Sequence, residues 1–442
     1  MSDNNIKKLD EYVVEENSNQ KVSRSLAELS MGIPKEWKIV RLYDYVNILK
    51  GYAFSSRYFN SEKRGLPLIR IRDLGKDETE AYYDGPYEET YLVKKNDILV
   101  SMDGEFNVFL WRGPTGLLNQ RVCKIWSKDD KILDNLFLYY VLQKPLKSIE
   151  AQISQTTVKH LLDRDIKRIK IPLPPIGEQR RIAEVLSTVD EAIRLVDESI
   201  ARTERLKKGL MQELLTKGIG HKEFKDTEIG RIPKEWEVFT VKEMIRLGII
   251  EKIEDGNHGE RHPKSHEFTE RGVPFITVNC IKHGKIDFNE CKYLPLEVVQ
   301  RLMKGFAKPG DVLLTHKGTI GLTAIVPGDF EYVILSPQVT YYRIKDHRNL
   351  LREFLYYLFQ ADYVKYQLTP LSKQSTRAYV SLERQGKLKL PLPPPKEQEE
   401  IIKILSTIDK RLEVERRRKE KLKRIKKALM DLLLTGKIRV KV

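Results

Sequence analysis

The sequence predicts an α+β chain in which two duplicated modules with mixed or curved β-sheets are separated by two long antiparallel helices forming a coiled coil. The first observation is an ordered repeat. IPKEWKIVRL at 33–42 returns as IPKEWEVFTV at 232–241, and IPLPPIGEQRRIAEVLSTVDEAI at 171–193 returns as LPLPPPKEQEEIIKILSTIDKRL at 390–412. The second is a set of weaker echoes in the same order: LPLIRIRDL (66–74) with VPFITVNCI (273–281), NDILVSMDG (96–104) with GDVLLTHKG (310–318), and FLYYVLQ (137–143) with FLYYLFQ (354–360). The third is a heptad pattern after each proline-rich exit. Each copy is long enough to bury a core of its own, so this is a duplicated domain rather than a solenoid. The expected layout is a tail or short helix at 1–30, modules at 31–175 and 219–394, and helical segments at 176–218 and 395–442.

Within each module, LPLIRIRDL, NDILVS and RVCKIW, and their counterparts VPFITVNCI, GDVLLT and VTYYRI, read as strands, because they are β-branched or aromatic and bounded by Gly, Pro, Asp or Asn. Asp134–Gln143 and Leu351–Gln360 read as short helices, apolar on most faces and hence buried. The sheets are expected to be curved or barrel-like. The copies differ in their connections, above all in IEDGNHGERHPKSHEFTER (253–271), and loops on a rigid scaffold are where recognition is placed.

Each module ends in prolines, Pro172, Pro174 and Pro175 or Pro391, Pro393, Pro394 and Pro395, which should not continue a strand ladder and suit the first turn of a helix. Glu178–Gln179 and Glu397–Gln398 follow, placing a carboxylate at the positive end of the helix dipole. Ile182, Leu186, Val189, Ile193, Val196, Ile200 and Thr203 then step by four and three. Leu206, Leu210 and Leu214 are expected to continue the seam after a one-residue phase shift. Ile401, Leu405, Ile408, Leu412 and Leu422 form the second seam, where Glu415 and Lys419 replace Val196 and Ile200. Gly218 and Gly436 are placed to close the helices in the left-handed conformation. The first helix should be about 60 Å long. Separate amphipathic helices, each lying on its own module, are the alternative to pairing.

Composition narrows the function. Lys plus Arg outnumber Asp plus Glu 79 to 63, a formal charge of +16, as expected of a protein that works against phosphates. From Lys410 onward there are 14 basic residues against 4 acids, which is either a solvated helix face or a contact surface for DNA backbone or an acidic partner. Three cysteines and no long apolar run point to a cytoplasmic protein without membrane contact. His258, His262 and His266, with Cys280 and His283 nearby, could suggest zinc. Pro263 argues against a common helix face, and a DNA-facing loop is the stronger reading. No Walker loop occurs, and no cofactor or metal is expected.

The paired IPxxW start, the LPLPPxxEQ exit with its heptad helix, and the closing LLTKG or LLTGK resemble the specificity subunit of type I restriction-modification systems. The resemblance covers about residue 31 to the C-terminus. It implies that 31–175 and 219–394 are target recognition domains, each reading one half of a split double-stranded DNA site. It also implies that the paired helices space the halves and dock two methyltransferase subunits, and that restriction and translocase subunits join through that core. That family's amino-methyltransferase tetrapeptide, NPPF or DPPY in type, is missing, so chemistry is expected from partners. Unlike loops on one pseudo-symmetric frame should read an asymmetric site. Candidate DNA contacts near strand ends are Arg70, Arg72, Asn119, Gln120 and Arg121 in the first module and His258, Asn279, His316, Lys317 and Gln338 in the second. Gln155, Thr157 and Lys159, with their counterparts Lys373, Gln374, Thr376 and Arg377, lie just before the last strand of each copy. A self-sufficient nuclease or methyltransferase, and a purely structural coiled-coil scaffold, are the competing functions.

Overall fold

The computed structural model describes residues 33–153, 159–369 and 379–441. The expectation for residues 1–30 falls outside them. The chain forms two compact units, one running to Leu195 and resuming at Lys419, the other Val196–Arg418. Both long helices, Ile176–Lys217 and Pro395–Leu433, therefore divide between units. Each unit holds one module, the start of that module's own exit helix, and the end of the other long helix.

The two modules share a strand plan. In the first, Val46–Lys50, Val122–Ser127, Ile98–Ser101 and Val108–Leu110 make an antiparallel sheet in that order, and Leu66–Ile69 pairs in parallel with Gly116–Leu118 in a second, mixed sheet. In the second module, Ile250–Asp255, Val339–Ile344, Val312–Thr315 and Thr323–Ile325 repeat the first sheet, and Val273–Ile276 with Val333–Leu335 repeats the parallel pair. The sheets are open, not closed into barrels. The expected strands at 66–74 and 273–281 are shorter than their apolar runs, because each turns into a 3₁₀ segment, Ile71–Asp73 or Val278–Cys280. Asp73 stops the first strand by accepting from the Arg70 amide at 3.0 Å. Cys280 Sγ stops the second by accepting from the Thr277 amide at 3.3 Å. The FLYY helix of the first copy is longer than expected, Asn135–Gln152, with the Asp134 carboxylate capping Phe137 N at 2.9 Å.

Pro172 and Pro391 do continue a ladder, contrary to the expectation. Lys38–Arg41 pairs antiparallel with Lys170–Leu173, and Glu237–Thr240 with Lys389–Leu392. Each is a two-stranded ribbon, so every strand has a free edge that tolerates a residue without an N–H. These ribbons clasp the two ends of each module together, and the repeated motifs lock the clasp. The Trp37 indole donates to Glu178 Oε2 at 2.9 Å, and the Gln179 side chain donates to the Pro174 carbonyl at 2.8 Å while accepting from Asp134 N at 2.9 Å. In the second copy Trp236 donates to Glu397 at 2.8 Å, and Gln398 donates to the Pro393 carbonyl and accepts from Leu351 N, each at 2.9 Å. The Glu–Gln pair is therefore more than a dipole partner. It ties module start, module exit and FLYY helix to one helical turn.

Beyond the clasp, Ile182 and Leu186 enter the first module's core together with Leu433 and Leu434 at the end of the other long helix. Met211, Leu214, Leu215, Ile401 and Leu405 do the same in the second unit. In each unit rising numbers on the first helix meet falling numbers on the second or just past its end: Glu178 with Arg439 and Asp190 with Lys426, then Glu204 with Arg416 and Lys207 with Asp409. The pairing is antiparallel. Val189, Val196, Leu412 and Leu422 are buried along it, and Ile193, Ile200 and Ile408 are half-buried. The phase shift at Leu206 does not occur. Leu206 is 55% exposed, because the unbroken alternation of four and three runs from Thr203 to Lys207 and then Leu210 and Leu214. Gly218 and Gly436 close the helices at φ of 64° and 70°.

Lys207 sits in an apolar seam because Asp409 meets it at 2.6 Å, and the Tyr357 hydroxyl donates to the same carboxylate at 2.8 Å. The first unit repeats the arrangement with Lys426, Asp190 and Tyr140, at 2.6 and 2.8 Å. Burial, and then the neighbouring carboxylate, push both tyrosine hydroxyls far above their ordinary range, so they stay neutral donors. Lys207→Met should destabilise the second unit by about 3 kcal/mol, since it strands a largely buried carboxylate. Adding Asp409→Asn, which keeps an acceptor for Tyr357, should recover most of that loss in thermal unfolding. Equal stability of the single variant and the parent would show that the pair does not hold the seam.

Candidate nucleic-acid interface

In each module three chain segments meet beside the first sheet. In the first module these are the end of strand Ile98–Ser101, the residues leading into Val122–Ser127, and the stretch beginning at Lys159. Met102 N donates to the Arg121 carbonyl at 2.9 Å, Gly104 N to the Lys159 carbonyl at 3.0 Å, and Leu161 N to the Met102 carbonyl at 2.8 Å. In the second module the same lacing joins His316 N to the Gln338 carbonyl and Val380 N to the His316 carbonyl, both at 2.9 Å. Isolated bridges Asp103 to His160 and Lys317 to Tyr379 occupy matching places. Met102, Asp103, Arg121 and His160 therefore correspond to His316, Lys317, Gln338 and Tyr379.

The frame is shared and the exposed chemistry is not. In the first module Asp103 accepts from Arg121 at 3.2 Å and faces His160 Nδ1 at 2.7 Å. Arg121 is 57% exposed and stands at a φ of 72°, a strained conformation for a side chain with a Cβ and one that accumulates at functional positions. In the second module, cation, amide and phenol stand there instead: Lys317 and Gln338 are half-buried and Tyr379 is exposed. Glycine fixes the approach to both corners. A Cβ on Gly51 would lie 2.0 Å from the Asn119 carbonyl oxygen, and one on its counterpart Gly256 1.9 Å from that of Leu335, so only glycine lets these backbones cross.

The remaining candidates divide by accessibility. Arg72, Gln120 and Asn279 are exposed. Arg70 is not free to read a base, because its guanidinium is held by Asp73 at 2.9 Å with only 16% of the side chain exposed. Asn119 is buried, its Oδ1 without a protein partner. Lys159 spends its ammonium on the Glu150 carbonyl at 3.0 Å, closing the end of a helix. His258 is paired to Asp255 at 2.7 Å, and Lys304 also reaches that carboxylate. Burial opposes the charge on Asp255, but the hydrogen bonds from Lys304 and His258 hold its carboxyl below the usual range. His316 is fully buried, its Nδ1 against the Val380 carbonyl at 2.9 Å, so it supports the corner and does not face solvent. Gln155, Thr157, Lys373, Gln374, Thr376 and Arg377 lie outside the described residues. Among the described residues no group of three or more His, Cys, Asp and Glu could hold a metal. His258 goes to Asp255, and Cys280 caps a turn.

A family profile described as the type I restriction modification DNA specificity domain matches residues 34–205 and 233–424. The chain belongs to this family. It is 31% identical over 418 residues to the MjaVIII specificity subunit of Methanocaldococcus jannaschii, covering 92% of this chain and 94% of that one. It is 32% identical over 389 residues to the EcoBI specificity subunit of Escherichia coli, covering 84% and 79%. The fold is similar to the specificity subunit from M. genitalium, with a TM-score of 0.57, 18% identity, and coverage of 91% of this chain and 96% of that one. Both family matches begin three residues before a clasp tryptophan and run well into a long helix, so the family's unit takes in module and helix together.

Among the described residues no helix is long and apolar enough to cross a membrane. Sequence reasoning did not single out Asp103 or His160, and it reached Tyr379 only as the end of the segment before the last strand. The signal was available in the aligned strands NDILVSMDG and GDVLLTHKG, where an acid in one copy faces a lysine in the other directly after a shared strand.

Burial lowers the His316 imidazole below its ordinary value, while the Val380 carbonyl opposes the shift. Unfolded chain therefore takes up a proton that the folded module refuses. The second module should lose stability as pH falls below about 6.5, and His316→Phe should remove that part of the loss. An identical acid-side slope in the variant, measured by unfolding across pH 5 to 8, would rule out His316 as its source.

Proposed function

We propose that this protein is the noncatalytic DNA-reading subunit of a type I restriction-modification enzyme acting in the cytoplasm. In this reading residues 31–175 and 219–394 are the target recognition domains, and 176–218 and 395–442 are the helical spacer. They recognise an asymmetric bipartite double-stranded site, and the spacer docks two methyltransferase subunits that supply the chemistry. Restriction and translocase subunits join through that core. The observation that carries the proposal is the pair of equivalent corners, one presenting Asp103, Arg121 and His160, the other Lys317, Gln338 and Tyr379, on the same backbone lacing.

Unlike groups on equivalent frames select unlike bases. A carboxylate accepts from a cytosine or adenine amino group, a guanidinium can donate twice to guanine, and an amide matches adenine. The exposed cations outside the corners supply affinity without sequence preference. Lys410, Arg411, Lys421, Arg424 and Lys427 are exposed on the second long helix, consistent with contact to phosphates or to an acidic partner surface.

Selection from random duplexes, with the methyltransferase partner present, should return two short unlike motifs at a fixed gap, and binding should fall steeply with salt. Arg121→Ala should relax one motif by roughly 1–3 kcal/mol, about five- to 150-fold at the affected base, and Gln338→Ala should relax only the other. A pool that emerges unselected would instead favour the scaffold function. Relaxation of both motifs by either variant would show that the corners do not read separate halves.

A further inference from the structure

The second module carries a short hairpin that does no work in the corner described above. Ile281–Lys282 pairs with Lys285–Ile286, and the root of the hairpin is set in the module. Ile281 is buried, and Ile286 packs into the same cluster as Leu313, Val339 and Tyr341. Those three residues lie on the strands that run directly into His316, Lys317 and Gln338. Asp287 N also donates to the Cys280 carbonyl at 2.7 Å, closing the root.

The tip leaves the module and meets the long helices of its own unit. Lys285 Nζ lies 2.6 Å from Glu413 on the second long helix. The Lys285 ammonium holds that carboxyl below its ordinary range, burial opposing. His283 and Gly284 turn the chain at φ of 50° and 78°, both left-handed. A Cβ on Gly284 would stand 2.0 Å from the Tyr356 hydroxyl oxygen, so the tip is pressed onto the FLYY helix. His283 and Gly284 line a cavity of about 560 Å³ together with Glu204, Tyr356 and Arg416. In the first copy the corresponding stretch, Leu74–Ala81, forms no hairpin.

The clasp and the shared core at Ile401 and Leu405 hold the first sheet's side of the module to the helices, whereas the cluster from which the hairpin projects contains, among the described residues, none from either long helix. A second contact from that cluster to the helices limits how far it can rock. We infer that the Lys282–Lys285 tip is a brace, with Lys285, Glu413 and Gly284 as positioning residues that fix the angle of the second reading corner to the helices and so sharpen the gap the protein accepts. The brace rests on the proposed DNA-reading function and names a regulator of its spacing. It touches no base.

The test uses the full chain assembled with its methyltransferase partner and duplexes carrying both selected motifs at the preferred gap or one base pair shorter or longer. Lys285→Ala and Glu413→Ala should each reduce discrimination between correct and altered gaps about threefold, the scale of an exposed ion pair. Gly284→Val, which forces the tip off Tyr356, should reduce it about tenfold. The exchange Lys285→Glu with Glu413→Lys should restore it, and the base preference within each motif should not move. Unchanged gap discrimination in all three single variants, with motif selection intact, overturns the brace alone. Relaxed base preference in the second motif overturns it too, because the hairpin would then belong to the reading surface. A parent chain that selects no bipartite site overturns both the brace and the function beneath it.

Discussion

The fold depends on a charged group placed where a coiled coil wants an apolar one. Lys207 and Lys426 stand in the seam, each met by an aspartate at 2.6 Å, Asp409 and Asp190, that also accepts from a module tyrosine. A largely buried pair of this kind adds little net stability over well-packed hydrophobic residues, because desolvation cancels most of the attraction. Its effect is on the alternatives. Sliding either helix by one heptad leaves an ammonium and a carboxylate in an apolar seam without partners, so the register that pairs them is the one that survives. The tyrosines carry the same constraint into the modules, because Tyr140 and Tyr357 belong to the FLYY helices that fill the module cores.

The repeated motifs gain a physical meaning from this arrangement. IPxxW and PPxxEQ are separated by a whole module in sequence, yet they form one joint. The tryptophan indole reaches the glutamate, and the glutamine takes up backbone groups of the exit and of the FLYY helix. A module whose two ends close on one helical turn can vary its connections without disturbing the helix it is mounted on. The second copy has done so: it adds the hairpin Ile281–Ile286 where the corresponding Leu74–Ala81 of the first copy forms none, while its clasp matches the first copy in every bond described.

Much of this was legible in the sequence, because repetition supplies its own alignment. Two modules, two long helices, their antiparallel pairing and the closing glycines all follow from motifs that recur in order. What was not legible depends on three-dimensional neighbours. Leu206 looks like a seam residue by composition, but strict periodicity gives the place to Lys207, which only its carboxylate partner makes tolerable. Pro172 and Pro391 look like strand breakers, and a ribbon with a free edge accepts them. The strand of LPLIRIRDL ends early because Asp73 caps its own chain, an interaction that apolar pattern does not register.

The candidate readers show the same limit from the other side. Polar residues near strand ends are the class that a sequence can offer, but paired cations and buried imidazoles are not distinguishable from free ones in it. Arg70 is used up by Asp73, Lys159 by a helix end and His316 by the Val380 carbonyl. Arg72, Gln120, Arg121, Asn279, Lys317 and Gln338 stay accessible, and among them Arg121 and Gln338 fall at one equivalent place. That coincidence is a stronger pointer to function than any single exposed side chain. Two copies of one frame lace their backbones with the same hydrogen bonds at this corner, although only Arg121 of the equivalent pair takes a left-handed φ, and glycines that admit no Cβ stand beside both, while the groups projecting from it differ in charge and in hydrogen-bonding sense. Structure alone needs the backbones to agree and is indifferent to the projecting groups. A divergence of those groups on a shared lacing is what separate targets for each copy would produce.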